Sequence, residues 1–270
     1  MKFAMDEHRA FARNIRLLKI AILNLSPIER ETEVRFLRLL SNSPLQVNIT
    51  LLRMEGSDFS DYLTPFYRFF DDIKNEKFDG MIISGTLTEH LDCEEIIYWP
   101  ELCRIMDWTS TNVTSTFHVC WGAQAGLYFH YGIPNYHLKE KMFGVFPHTS
   151  EVLPECSANR KLLRGFDEVF YAPHSRHTEI RYSDIVKNPD LELISASEES
   201  GIYIVASKDT RRIFVTGHSE YDAFTLDNEY RRDLGKGLEI VPPKHYFTED
   251  NPEKPPLIRW RAHANLIFTN

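Results

Sequence analysis

Dense apolar runs of strand length alternate along this chain with stretches whose apolar residues recur at helical spacing. Residues 17–25, Leu-Leu-Lys-Ile-Ala-Ile-Leu-Asn-Leu, form the first run and end at Ser26-Pro27. A helix is predicted over 29–40, with Val34, Leu37 and Leu40 beside Phe36 on one side, acids leading and arginines following. Residues 45–52 then alternate apolar and polar positions, as a partly exposed strand does. Together these make a βαβ unit, which implies parallel strands. The aromatic stretch 62–73 reads as a helix, 78–85 as a buried strand ending in a glycine turn, and 100–108 as a further helix that tolerates Pro100 in its first turn.

Residues 115–120 form the next apolar strand, and 121–129 a helix with small residues in its first turns. From 140 to 176 the pattern is mixed, predicting short strands and loops. Residues 191–197 and 202–206, separated by Glu198-Glu-Ser-Gly201, predict a β-hairpin. Residues 212–218 form a strand ending in Gly217-His218, and 221–234 a helix. Pro242, Pro243, Pro252, Pro255 and Pro256 mark an extended segment over 240–270 that wraps the body and ends in a short apolar piece. There is no internal repeat, and 1–270 reads as one α/β domain with a mostly parallel central sheet flanked by helices.

Composition narrows the classes of function. Hydrophobic residues at 43% and charged residues at 26% are ordinary for a globular protein. No apolar run approaches the ~20 residues needed to cross a bilayer. The N-terminus is charged, without the apolar centre of a signal peptide, so a cytoplasmic location is expected. Four cysteines at 93, 103, 120 and 156 show no metal-type spacing. His174, His177 and His218 do not make a standard zinc set either, so no metal is expected. A formal net charge of −8 speaks against general nucleic-acid binding and leaves a small-molecule partner.

The chemistry gathers at strand ends. Cys120 closes one strand and opens a helix, the geometry of a nucleophile elbow, where a helix N-terminus beside the sulfur favours a thiolate. A buried, inert cysteine is the competing reading. In a parallel sheet the ends of successive strands share one edge, so Gly85 with its loop, Cys120, and His218 with Glu220 can converge. Cys120 then acts as nucleophile, His218 as base and Glu220 as the group orienting the imidazole. The backbone N–H groups of Trp121, Thr86 and Leu87 are candidates for an oxyanion site.

Cys120-Trp-Gly-Ala-Gln124 and Gly217-His-Ser-Glu220 resemble the class I glutamine amidotransferase fold. Longer stretches resemble the homoserine O-acyltransferase (homoserine transsuccinylase) family over nearly the whole chain. They are Ile22–Leu25, Phe36–Val47, Tyr98–Pro100, Val119–Trp121, Ala172–Arg176, Phe214–His218 and Glu220–Asp222, with residues 260–270 also similar to the family's ending. The resemblance implies ping-pong acyl transfer from acyl-CoA through a Cys120 thioester to an amino-acid hydroxyl. It implies no bound cofactor beyond that co-substrate and a role in methionine or cysteine biosynthesis; the sequence leaves the oligomeric state open, a homodimer included.

By position in the family, Lys141, Ser175, Glu229 and Arg232 are substrate contacts, with Arg232 on the amino-acid carboxylate. Glu89 stands where succinyl-transferring members carry glycine. A carboxylate there repels a succinyl group and tolerates acetyl, so the resemblance implies acetyl-CoA. The family's usual Met-Pro-x-Lys is here Ser26-Pro-Ile-Glu29, with Arg30 beside it. This leaves L-homoserine and L-serine both open, since one methylene changes discrimination by only ~1–3 kcal/mol. Two other classes remain. One is an amidotransferase-like cysteine hydrolase, against which Val119 stands where those enzymes usually have glycine; the other is a non-catalytic paralogue that binds a ligand.

Overall fold

The computed structural model describes residues 16–26, 29–43, 45–55, 66–86, 91–151 and 153–270, with backbone alone at 29 and 30. Strand β1 (Leu18–Leu23) leads to α1 (Glu29–Leu40) and back to β2 (Val47–Leu52), and β1 and β2 pair in parallel, as the βαβ pattern implies. Strands β4 (Phe78–Ile83) and β5 (Val113–Val119) extend the parallel set, joined through α3 (Trp99–Asn112). Ala21, Ile22, Leu23, Met81, Ile82 and Ile83 are all buried. Helices cover both faces of these strands, so their sequences run apolar without alternation.

Two local expectations change. Helix α1 buries Glu33, Phe36 and Leu39 while Val34 and Leu37 are exposed. The turn of the helix is set by Glu33, whose carboxylate accepts from Asn24 Nδ2 at 3.0 Å and from the Tyr67 hydroxyl. A polar residue with two buried donors is thus drawn inward at the expense of two aliphatic ones. The aromatic stretch predicted as a helix over 62–73 instead gives a two-residue edge strand, β3 (Tyr67–Arg68), and a single turn, α2 (Phe70–Ile73). Residues 62–65 lie outside the described part.

The second half departs from the parallel pattern. Where short strands and loops were expected, β6 (Tyr136–Ser150) and β7 (Val169–Glu179) form one long antiparallel hairpin, with a register shift between His137 and Met142. After the short helix α5 (Tyr182–Lys187), strands β8 (Leu191–Ser197) and β9 (Gly201–Ser207) make the predicted hairpin. Strand β10 (Arg212–Val215) is antiparallel to β9 and parallel to β5, which places it where the two patterns meet. The ten-stranded order is β3-β2-β1-β4-β5-β10-β9-β8-β6-β7.

Two further helices, α6 (Thr225–Gly235) and α7 (Arg261–Thr269), follow. Helix α6 starts four residues later than the sequence suggests, because 221–224 belong to a loop held by side chains from elsewhere. Between the helices, Lys244 pairs with β6: the Val145 amide donates to Lys244 O at 2.9 Å, and the Lys244 amide to Phe143 O at 3.0 Å. Gly144 lies at the crossing with φ 152°, and a Cβ there would stand 2.4 Å from Lys244 O, so the contact needs glycine. Tyr246 and Trp260, both fully buried, brace the loop before α6. The Tyr246 hydroxyl donates to Ala223 O at 2.6 Å, and Trp260 Nε1 to Tyr221 O at 3.0 Å. No helix among the described residues is long and apolar enough to cross a membrane.

The carboxyl ends of β1, β4, β5 and β10 stand side by side, with Leu23 opposite Ile83 and Val119 opposite Val215. Helix α4 (Trp121–Tyr131) leaves this edge directly after Cys120. It packs so close to β4 that a Cβ on Gly122 would lie 2.5 Å from Ser84 O and 2.8 Å from Ile83 O. A Gly122→Ala substitution is therefore expected to destabilise by about 1–3 kcal/mol, as overpacking does. Urea unfolding measures this, and unchanged stability would show that the helix has room to shift.

Candidate active site

Cys120 adopts φ 52° and ψ −116°, a conformation that costs a non-glycine residue of order 1–3 kcal/mol. Neighbours on both sides fix it. Its amide donates to Val215 O of β10 at 2.7 Å, and its carbonyl accepts from Ala123 at 3.0 Å and Gln124 at 3.2 Å. The Trp121 and Gly122 amides, first in α4, have no acceptor within the helix. The strand-to-helix junction is thus the sharp elbow the sequence indicates. Cys120 is buried yet lines a cavity at the sheet edge, and its Sγ lies 3.9 Å from Ser175 O on β7.

His218 follows β10 and lines the same cavity. Its amide donates to Pro173 O at 2.8 Å, tying the loop to β7, and Nδ1 lies 2.7 Å from Glu220 Oε1. That carboxylate fixes Nδ1 as the protonated nitrogen and leaves Nε2 for Cys120, to which the ring also hydrogen-bonds. Tyr221 stacks on the imidazole with ring centroids 4.2 Å apart. Burial pushes the His218 pKa down, but the negative charges of Cys120 and Glu220, and the hydrogen bonds to both, override it and hold the ring well above its ordinary range. The arrangement favours a protonated imidazole beside the Cys120 sulfur. His118, two residues before Cys120, is pushed down to about 3 by burial, with His130 and Arg212 adding to the effect, and stays neutral.

The remaining expected residues form a second cluster across the cavity. Glu229 on α6 accepts from Lys141 Nζ at 2.5 Å and from Ser175 Oγ at 2.8 Å, each through Oε1. Lys141 sits in the irregular part of β6 and also reaches Asp233 at 3.6 Å. Arg232 bonds Asp233 at 2.7 Å and stands 3.9 Å from Glu229. Two cations and two carboxylates thus balance, and the Arg232 guanidinium is already engaged by Asp233. Thr86 lines the cavity and accepts from the Tyr98 hydroxyl at 3.2 Å. Leu87 and Glu89 lie outside the described residues, as does the side chain of Glu29. His174 is fully buried with its Nε2 3.0 Å from His148 Nε2, whereas His177 on the opposite face of β7 is exposed.

The cavity also takes Glu31, Thr32 and Arg35 from α1, and Thr225 and Asn228 from the α6 region, none of them anticipated as site residues. A signal for α1 existed. It follows a parallel strand directly, so its first turns stand at the sheet edge where ligands of open α/β sheets bind.

The family model described as homoserine O-succinyltransferase matches residues 1–270. The chain belongs to that family. It is accordingly an acyltransferase. The homoserine O-acetyltransferase of Acetivibrio thermocellus is 56% identical over 272 residues, covering 99% of this chain and 88% of that protein. The homoserine O-acetyltransferase of Geobacillus kaustophilus is 57% identical with the same coverage. Among solved structures, a glutamine amidotransferase from Thermotoga maritima aligns with a TM-score of 0.55 at 12% identity, over 82% of this chain and 85% of that one. Another from Methylobacillus flagellatus gives 0.58 at 13%, over 94% and 93%. At such identities the likeness concerns the fold, which is the amidotransferase-like α/β fold expected from the sequence.

Because His218 is held above the ordinary imidazole value of about 6.5, its ion pairing stabilises the fold fully below that pH and is lost as pH rises through the folded value. Replacing Glu220 with Gln removes one of the two negative neighbours. The His218 midpoint, followed by NMR of the ring protons, is expected to fall. An unmoved midpoint would refute the ion-pair description.

Proposed function

We propose that this protein transfers an acetyl group from acetyl-CoA to the side-chain hydroxyl of L-homoserine, by a ping-pong route through a Cys120 thioester, in methionine biosynthesis. The observation that carries the reading is one cavity that holds Cys120 and His218 against Glu220 and, facing them, the Ser175–Glu229–Arg232 group. The first set is suited to acyl exchange, the second to an amino acid with its two charged ends.

In the first half-reaction the Cys120 thiolate attacks the thioester carbonyl, and the oxyanion is received by the Trp121 amide with those of Thr86 and Leu87. The C–S bond to CoA breaks, and the His218 imidazolium gives its proton to the leaving thiolate. His218 is then neutral. In the second half it takes the proton of the incoming hydroxyl as the oxygen attacks the acyl-cysteine. Collapse breaks the bond to Cys120 and restores the thiolate–imidazolium pair, so each proton is accounted for. Glu220 keeps the ring oriented throughout. Arg232 receives the amino-acid carboxylate, while Glu229 with Lys141 and Ser175 faces the ammonium end.

Acetyl as the acyl group is supported by Glu89 and by the names of the relatives at 56–57% identity, although the family model is described for succinyl transfer. Those relatives also favour homoserine. L-serine is the second reading, carried by the Ser26-Pro-Ile-Glu29 departure. Three arms test the proposal. Acetyl-CoA without acceptor is expected to give a burst of free CoA and one acetyl group on Cys120 by intact-protein mass spectrometry; no adduct would sink the route. Steady-state comparison of homoserine with serine, and of acetyl-CoA with succinyl-CoA, reads the pocket directly, and preference for succinyl-CoA would overturn the role given to Glu89. Glutamine hydrolysis independent of CoA would instead support a hydrolase.

A further inference from the structure

Two arginines one turn apart on α1 converge on three consecutive residues of the loop that carries the catalytic base. Arg38 bonds the Asp222 carboxylate through Nη1, and its Nη2 donates to the backbone carbonyl of Glu220 at 2.9 Å. Arg35 donates through Nε to the other Asp222 oxygen at 3.3 Å. Its guanidinium also lies over the Tyr221 ring, 5.4 Å from the centroid, and Tyr221 is the ring stacked on His218. One helix therefore holds the residue that orients His218, the residue stacked on it and the residue after that. Arg35 also reaches Glu31 at 2.9 Å and lines the active-site cavity, so the clamp is exposed to whatever occupies that cavity.

We propose that Arg35 and Arg38 are positioning residues, a clamp that sets the His218–Glu220 pair against Cys120 through Asp222 and Tyr221. The inference rests on the assignment of Cys120, His218 and Glu220 given above. The loop is irregular, and no helix or strand fixes residues 218–224; its geometry depends on what grips it. Asp222 and Arg38 are about half exposed, and exposed ion pairs contribute little to global stability. The effect of the clamp therefore falls on the chemistry rather than on the melting temperature. Lysine cannot replace Arg38, because a single ammonium cannot bond a carboxylate and a carbonyl in the same planar fork.

The test uses alkylation of Cys120 by iodoacetamide across pH, which needs neither acyl donor nor acceptor. The groups facing His218 are Cys120 from the elbow, His174 from β7, and Glu220 and Tyr221 from the loop, and all stay intact in the variants. Asp222→Asn and Arg38→Gln are expected to slow alkylation at mildly acidic pH and lower kcat about ten- to a hundredfold, with KM little changed, as misplacement of a catalytic group does. Arg38→Lys is expected to recover only part of the loss. Arg231→Gln removes a comparable surface pair with Asp227 away from the site and is expected to leave both readouts unchanged. A wild-type alkylation profile and kcat in Asp222→Asn and Arg38→Gln would overturn the clamp, as would a fall in melting temperature with no change in the profile. If the unsubstituted protein transferred no acyl group while the alkylation differences persisted, the functional reading would fail and the clamp would stand.

Discussion

A cysteine held at positive φ is uphill in energy, and the conformation persists only where surrounding structure over-determines it. Here the Cys120 amide is tied to β10, its carbonyl is taken by the first turn of α4, and α4 is seated on β4 through Gly122. That close approach at Gly122 seats the helix whose start places the sulfur against Ser175 and His218. Strand order follows the same logic. Strand β10 sits next to β5, so His218, which follows β10, arrives beside Cys120, which follows β5.

How much of this was legible in the sequence depended on the range of the interactions. Short-range signals read well. The run 17–25, the helix Glu29–Leu40, the Cys120 junction and the 191–207 hairpin were all recoverable from periodicity and turn residues. Features set by distant partners were not. Glu33 turned α1 because Asn24 and Tyr67 were waiting for it, and a periodicity count treats a buried glutamate as an exposed one. The long β6–β7 hairpin was hidden by Pro147, Gly144 and a register shift, which break the alternation that announces a strand. The start of α6 was displaced by Arg38 and Tyr246, neither of which lies near it in the chain.

The site itself divided in the same way. Cys120, His218 and Glu220 could be found because each ends or follows a strand. Lys141, Ser175, Glu229 and Arg232 came only through resemblance, since a lone lysine or serine carries no local signal. Their convergence on Glu229 Oε1 is a property of the folded chain. Two cations and two carboxylates leave that cluster near neutral within a protein of net charge −8.

The contact of Lys244 with β6 and the seating of Tyr246 and Trp260 under the loop after His218 have a consequence for biosynthesis. During translation the elbow and its thiol emerge first, and the strand bearing Ser175 next. Tyr246 and Trp260, which brace the loop after His218, follow later in the chain. The thiol of Cys120 is therefore made before the residues that brace the loop after His218, and that loop can take its final shape only once the segment that crosses Gly144 has joined it.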